Sequence, residues 1–540
     1  MGFGAPPAFR VFRHSVIFGM AGGHARGNCG PADPVLAGAC NRIIEIAPLE
    51  IFDSQKNSSM VNSIVQCERA LSLLPPSEYF SERIRMYRAA SVAILSTVSV
   101  HLEPPVSGVA DTPSLLRHVE GGSVSFDSKV FVDEPFADLD LSHGIPLAHF
   151  LGLIGASSAL DKVLQPESNQ SQTGDSKGNT ILHYACMGGH ADLALRLCQV
   201  HGLNPAIPNH SGTLPLHWLV MFTRAEMEKA IATLADQGDG PWPAPLGATS
   251  SGILLPIHFA SLRGSALHWA VSCGNKAAVE LLIRAGSDPN LEHNAYTPLA
   301  LAVELLLVEI VELLLQSGAR THCIGPFGRS AFHFLAGNAP IIKKRIVHGA
   351  EGYRRAVKRV LDKLLYFGAD IDARDKFGNT PLMKAVASPF ERGREDDLVV
   401  LQELLLYGAS RNAQNKDGDS AFHVAILKSW SDQPNHTIVF TMLLDETLSL
   451  ADEEMEVMMK DRHGRTAYKL AAYFKSDLVK LLQKFILESR EALFDELLSN
   501  EVDVAEFSYN RFLEMVSFEA AELARLRNIG LGVENNQDCS

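Results

Sequence analysis

Apolar residues along this chain fall at helical spacing in short runs divided by polar breaks. Val357, Val360, Leu361, Leu364 and Leu365 follow the i, i+3, i+4, i+7, i+8 rule, with Lys358, Arg359 and Lys363 between them, and so predict a helix that buries one stripe. This and other leucine-rich helices end at Gly286, Gly318, Gly368 and Gly408, each followed by Ser or Ala. Glycine at that point predicts a left-handed C-terminal turn, since it alone adopts positive φ without steric cost. The most apolar stretch, Pro298 to Leu315, is interrupted by Glu304, Glu309 and Glu312, which makes it a pair of amphipathic helices and no membrane span. Toward the N-terminus, Pro34–Ile51, Ser58–Leu74 and Ser77–Leu102 predict three helices. Toward the C-terminus, Leu493, Leu497 and Leu498, then Phe512, Met515, Val516 and Leu523, predict two more.

A short phrase ending on histidine stands at the start of many of these helices. It reads Asn179 Thr180 Ile181 Leu182 His183, then Leu214 Pro215 Leu216 His217, Ser265 Ala266 Leu267 His268 and Ser330 Ala331 Phe332 His333; His423 holds the same place later. Thr297 Pro298 Leu299 Ala300 and Thr380 Pro381 Leu382 Met383 lack the histidine. His183 to His217 is 34 residues and Ala300 to His333 is 33. A period of about 33 residues carrying T-P-L-H is the sequence signature of ankyrin repeats, and this chain resembles that family over residues 142–485. Leu267 His268 Trp269 Ala270, Gly274, Val279 Glu280 Leu281 Leu282 and Gly286 nearly complete its pattern. Ala148 His149 Phe150 Leu151 and Gly155 form a degenerate first unit.

The resemblance implies an all-α dominated solenoid, each unit a hairpin tip, a short inner helix and a longer outer helix. Its stability would be a sum over neighbouring interfaces. It also implies that the recurring histidines bond neighbouring hairpins instead of forming a metal or catalytic site. The expected organisation is a tail at 1–33, a helical N-terminal segment at 34–140, the array at 142–485, an acidic helical cap at 486–528 and a tail at 529–540. Insertions break the period near 237–257, 338–356, 389–396 and 429–437, and in repeat proteins such insertions map to loops on one face, often the binding face.

Family likeness places the ligand surface on tips and inner helices. Tip candidates are Ser176, Lys177, Asn179, His293, Asn294, Tyr296, Phe327, Arg329, Lys376, Phe377, Lys416, Asp417, Arg462, His463 and Arg465. Inner-helix candidates are Met187, Glu304, Tyr473 and Phe474. Phe327, Phe377, Tyr473 and Phe474 stand out, because aromatic anchors commonly dominate interface energy.

Charge adds one further candidate. The chain has a net charge of −14, but Lys343, Lys344, Arg345, Arg354, Arg355, Lys358 and Arg359 cluster in one insertion, where an acidic peptide or anionic lipid could dock; a solvated helix face is the plainer reading. Duplex nucleic acid is not an expected partner of so acidic a protein. Eight cysteines without a CxxC pair point to reduced thiols in the cytoplasm. Arg10, Arg13 and Arg26 ahead of the first acidic residue leave a mitochondrial alternative open. No P-loop, G-x-S-x-G, H-E-x-x-H or kinase motif is present. The expectation is a non-enzymatic protein-protein interaction scaffold or adaptor with no cofactor and no metal. The alternative is an enzyme or secreted effector, acting in a host cytosol, whose residues 1–140 hold the activity, with His14, His24, Cys29 and Cys40 as the available thiols and bases.

Overall fold

The computed structural model describes residues 92, 95, 96, 98–125, 127–132, 144–164, 173–236, 245–254, 261–294, 296–322, 327–337, 349–387, 398–429, 436–445 and 459–473. The expected tails, most of the expected N-terminal helices, the insertion at 389–396 and the acidic cap lie outside these residues.

The described chain opens on a small α/β unit where helix was expected. Strand β1 (Val100–Glu103) pairs antiparallel with β2 (Lys129–Val132), and β2 with β3 (Ile145–Pro146), while α1 (Thr112–Glu120) connects β1 to β2. The expected helix ending at Leu102 therefore gives way to strand from Val100, although Val92 and Leu95 before it are helical, and Lys129–Val132 is strand within the expected helical segment; the expected helices before residue 92 lie outside the described residues. Val98, Val100 and Leu102 are buried and alternate with Ser99, His101 and Glu103, a period of two that β-branched residues favour and that a helical template misreads. The Leu147 amide donates to the Ser128 carbonyl at 2.8 Å, so the sheet hands the chain directly to the first repeat.

From there helices come in pairs: α2 (Leu147–Ile154) with α3 (Ser157–Val163), α4 (Ile181–Met187) with α5 (Ala191–Gln199), and a 3-10 helix (Pro215–Met221) with α6 (Arg224–Leu234). The hairpin β4 (Ser250–Leu254) and β5 (Ser261–Gly264) follows, then α7 (Ala266–Ser272) with α8 (Lys276–Arg284) and α9 (Pro298–Glu304) with α10 (Val308–Gln316). The later pairs are α11 (Ala331–Gly337) with α12 (Gly349–Tyr366), α13 (Pro381–Ala387) with α14 (Val399–Leu406), and α15 (Ala421–Ser429) with α16 (His436–Leu444); α17 (Ala467–Tyr473) begins a ninth unit. Inner helices stack on inner helices along the whole series. One core runs unbroken from Leu95 to Ala471, including Trp218, Trp269, Phe332 and Phe422. The expected left-handed turns are present, with φ of 100°, 85°, 76° and 84° at Gly286, Gly318, Gly368 and Gly408.

Two insertions are visible as structure instead of loop. The long interval after His217 contains the β4–β5 hairpin, which ends against Ser265 at the start of the fourth repeat. The basic insertion lengthens an outer helix: α12 has 18 residues where α8 and α10 have nine. Its extra turns are anchored by Tyr353, which is buried.

Candidate functional site

The front of the array, made of tips and inner helices, is built from two repeated devices. The first is the histidine. In five repeats Nδ1 of His183, His217, His268, His333 or His423 accepts the backbone N–H three residues earlier, at 3.0 to 3.2 Å. Nδ1 is therefore unprotonated and Nε2 carries the proton. Nε2 donates across to the next repeat, to the carbonyls of Thr213 (2.9 Å), Gly264 (3.1 Å), Tyr296 (3.2 Å), Asn379 (2.9 Å) and Arg465 (3.0 Å). Burial holds the His183, His217 and His268 imidazoles down to about 4, against an ordinary value of 6.5. These are neutral staples. His149 occupies the same register beside the Asn179 carbonyl, without closing a hydrogen bond of good geometry.

The second device is a carboxylate or amide eight residues before the histidine position, a signal present in the sequence but overlooked there. Asp175, Asn209, Asp375, Asn415 and Asp461 each accept two backbone N–H groups of their own tip, at 2.8 to 3.0 Å. This is the Asx turn, in which a short side chain replaces a backbone partner. The turns fix each tip against the next: Lys376 N donates to the Phe327 carbonyl (2.8 Å), Lys416 N to Phe377 (3.0 Å) and Arg462 N to Asp417 (2.8 Å). Gly378 and Gly418, at φ of 80° and 77°, make this approach feasible, for a Cβ there would lie 2.8 Å and 2.7 Å from the Lys416 and Arg462 nitrogens.

The candidate residues divide on this frame. Ser176, Lys177, Asn294, Lys376, Lys416, Asp417, Arg462 and His463 are exposed at tips, and Met187 is half-buried at the end of α4. Asn179 is not a surface group: it is buried and accepts from the Asn209 amide at 2.8 Å. Arg465 is held at its own turn by Asp461, 2.7 Å away, and so serves the hairpin. Tyr473 closes α17; Phe474, Lys343, Lys344 and Arg345 lie outside the described residues.

One junction gathers several candidates. Between the fifth and sixth repeats, Ala300 stands where a histidine would be, and Phe334 and Tyr296 pack over it, their rings 5.2 Å apart. The Tyr296 hydroxyl bonds Glu304; burial, then that carboxylate, pushes the phenol up. His293 bridges back to Tyr296 across the tip. Arg329 lies 5.1 Å from the Phe327 ring centre, a cation-π contact. Phe327 and Phe377 hold the same position on consecutive tips and are 42% and 55% exposed, where other repeats carry Lys177, Ser211, Asp417 and His463. Phe334 was missed from sequence because it reads as an ordinary core aromatic.

The basic insertion belongs to the back. Arg359 pairs with Glu309 (3.3 Å) and Lys363 with Glu312 (2.6 Å) on α10, Arg354 donates to Gln402 (2.6 Å) on α14, and Arg355 faces Glu351 on its own helix. Among the described cations of this segment, Arg355, Arg359 and Lys363 thus have acidic partners, whereas Arg354 meets a neutral amide.

The profile for ankyrin repeats in three copies matches residues 253–325, and single ankyrin-repeat profiles match 177–207 and 377–416. The chain contains ankyrin repeats. Its array is 32% identical over 189 residues to the B-cell lymphoma 3 protein homolog of Mus musculus, covering 29% of this chain and 40% of that protein. It is 31% identical over 230 residues to the NF-kappa-B inhibitor delta of Mus musculus, covering 40% and 61%. It is also 27% identical over 208 residues to the glycerophosphocholine phosphodiesterase gde1 of Schizosaccharomyces pombe, covering 32% of the chain but 17% of the enzyme. The likeness thus reaches from about a sixth to about three fifths of these relatives' lengths. Among the described residues of the array there is no cluster of metal-ligating side chains, and no helix is long and apolar enough to cross a membrane. Burial raises the Cys186 thiol well above its ordinary value and pushes Cys198 up to about 12, so neither is a ready nucleophile.

Proposed function

We propose that this ankyrin array is a non-enzymatic adaptor that holds a polypeptide partner along its front, centred on the tips of the sixth and seventh repeats. The observation that carries the reading is the pair Phe327 and Phe377. Large apolar side chains this exposed on adjacent, backbone-locked tips add little to the buried core, and such rigid aromatics make effective interface anchors. Ankyrin repeats as a class act through protein contacts, and a relative whose name is that of an NF-kappa-B inhibitor supports a protein partner here. The alternative of an activity in residues 1–140 rests on residues outside those described, and the match to a phosphodiesterase involves a small part of that enzyme.

The test is affinity capture with the whole chain and with Phe327→Ala/Phe377→Ala. The double variant should melt within a few degrees of the parent, because both rings are exposed, yet lose the partners that the parent retains. Identical capture by the two proteins would refute the placement.

A further inference from the structure

A row of positive charge runs along the front from the second of the two aromatic tips onward. Lys376, Lys416 and Arg462 occupy one register position, seven residues before the histidine position, on the seventh, eighth and ninth repeats. The corresponding residues of earlier tips are Ser176, His210 and His293. Each of the three spends its backbone N–H on the carbonyl of the preceding tip, which sets their Cα atoms in a row and leaves the side chains exposed. Among the described residues Lys376 and Lys416 have no ionic partner, whereas Arg462 reaches Asp417 at 3.2 Å with both groups solvent-exposed, a weak pairing. The back of the array is the reverse case, since Arg359 and Lys363 are already matched by Glu309 and Glu312.

We infer that this ladder, continuous with Phe327 and Phe377, binds an extended acidic segment of the partner protein that also carries apolar side chains. The inference rests on the front-face reading above and adds the partner's chemistry to it. The carboxylates of such a segment face Lys376, Lys416 and Arg462 in succession, while its apolar side chains cover the two rings. The complementarity is selective because the protein as a whole is acidic, with a net charge of −14. Against that acidic background the ladder is a local site for carboxylates, and the two rings add apolar contacts that a featureless polyanion cannot make.

The probe is a fluorescein-labelled random copolymer of glutamate and tyrosine, titrated with the full chain and followed by anisotropy at low and physiological salt. The copolymer should bind, weaken as salt rises, and lose about tenfold or more in affinity with Lys376→Glu/Lys416→Glu/Arg462→Glu. The neutral set Lys376→Gln/Lys416→Gln/Arg462→Gln should show a smaller loss in the same direction, which separates lost charge from a disturbed fold. Reversal on the back, Arg354→Glu/Arg355→Glu/Lys358→Glu, should leave binding unchanged, and polyglutamate should bind more weakly than the copolymer. Unchanged binding by the front triple variant, loss with the back variant, absence of binding at low salt, or equal affinity for polyglutamate each overturns the inference. If capture of partners still requires Phe327 and Phe377 while the front triple variant binds the copolymer normally, the charge inference fails and the front-face reading stands.

Discussion

Two kinds of junction occur along this array. Where a histidine is present, as from His333 to Asn379, one side chain closes its own turn and donates to the next repeat through a buried, neutral ring. Where it is absent, the two bonds are not replaced. At Thr297 and Thr380 the hydroxyl turns instead to its own helix, accepting from Ala300 N (3.2 Å) and Met383 N (3.3 Å). Neighbouring repeats are then joined by packing, with Phe334 over Ala300, or by amides, with the Asn415 side chain donating to Asn379 at 3.0 Å. The two junctions that lack the histidine, at Ala300 and Met383, flank the sixth and seventh repeats, which carry Phe327 and Phe377. The staple is thus a device of the scaffold, and the aromatic surface sits on a stapled pair with a looser joint on either side.

Acidification should invert the difference. A histidine whose folded value is about 4 and whose unfolded value is near 6.5 contributes fully above pH 6.5. That stability is lost as pH falls toward 4, because the unfolded chain takes up protons that the fold excludes. Each of His183, His217 and His268 is then expected to cost about 3 kcal/mol by pH 4. Hydrogen exchange at pH 7.5 should open the joints at Ala300 and Met383 first; near pH 5, corrected for intrinsic rates, the second to fourth repeats should open at least as early. An order that does not change with pH would show that the rings are not staples.

At neutral pH the same contrast appears in substitutions. His333→Ala removes both bonds and leaves a buried amide and a carbonyl short of a partner, so a loss of about 2 to 3 kcal/mol is expected in urea unfolding. Thr297→Ala removes only a helix cap and should cost about 1 kcal/mol. Equal losses would mean that the bond between repeats adds nothing.

Much of this was legible in the sequence because it repeats. The register of Thr-Pro-Leu-His located the inner helices from Ile181 onward, and glycines such as Gly286 marked where outer helices end. That the histidines share no site follows from their spacing of one repeat, and the family resemblance implied that they bond neighbouring hairpins. What escaped is what does not repeat. The strand Val100–Glu103 was hidden by apolar residues that fit either period, and the β4–β5 hairpin sits inside an interval that reads only as length. The basic insertion shows a different limit: a one-dimensional count sees Arg359 and Lys363 but not Glu309 and Glu312, which lie some 50 residues earlier in the chain and a single repeat away in space. The tip ladder was named residue by residue, yet its pattern becomes visible only when each tip is aligned on its Asx turn.

The smallest effect is the most direct test of the staple, because it adds one. In the stapled repeats the carbonyl that receives Nε2 also receives the turn's own N–H: Asn379 O takes both Asp375 N and His333, and Arg465 O takes both Asp461 N and His423. Asp419 O takes Asn415 N at 3.0 Å and holds the register position relative to Met383 that Asn379 O holds relative to His333; Met383 is a buried side chain of similar size preceded by Thr380, so half of the site already exists. Met383→His should therefore raise stability at pH 8 by about 1 kcal/mol, the net value of a well-placed hydrogen bond, and the gain should vanish as the ring is protonated in acid. Ala300→His should not behave this way, because Phe334 and Tyr296 fill the space that the ring would need. A gain at position 383 that persists at pH 5 would point to better packing and not to the bond, and the distinction between the two kinds of junction would then be one of shape alone.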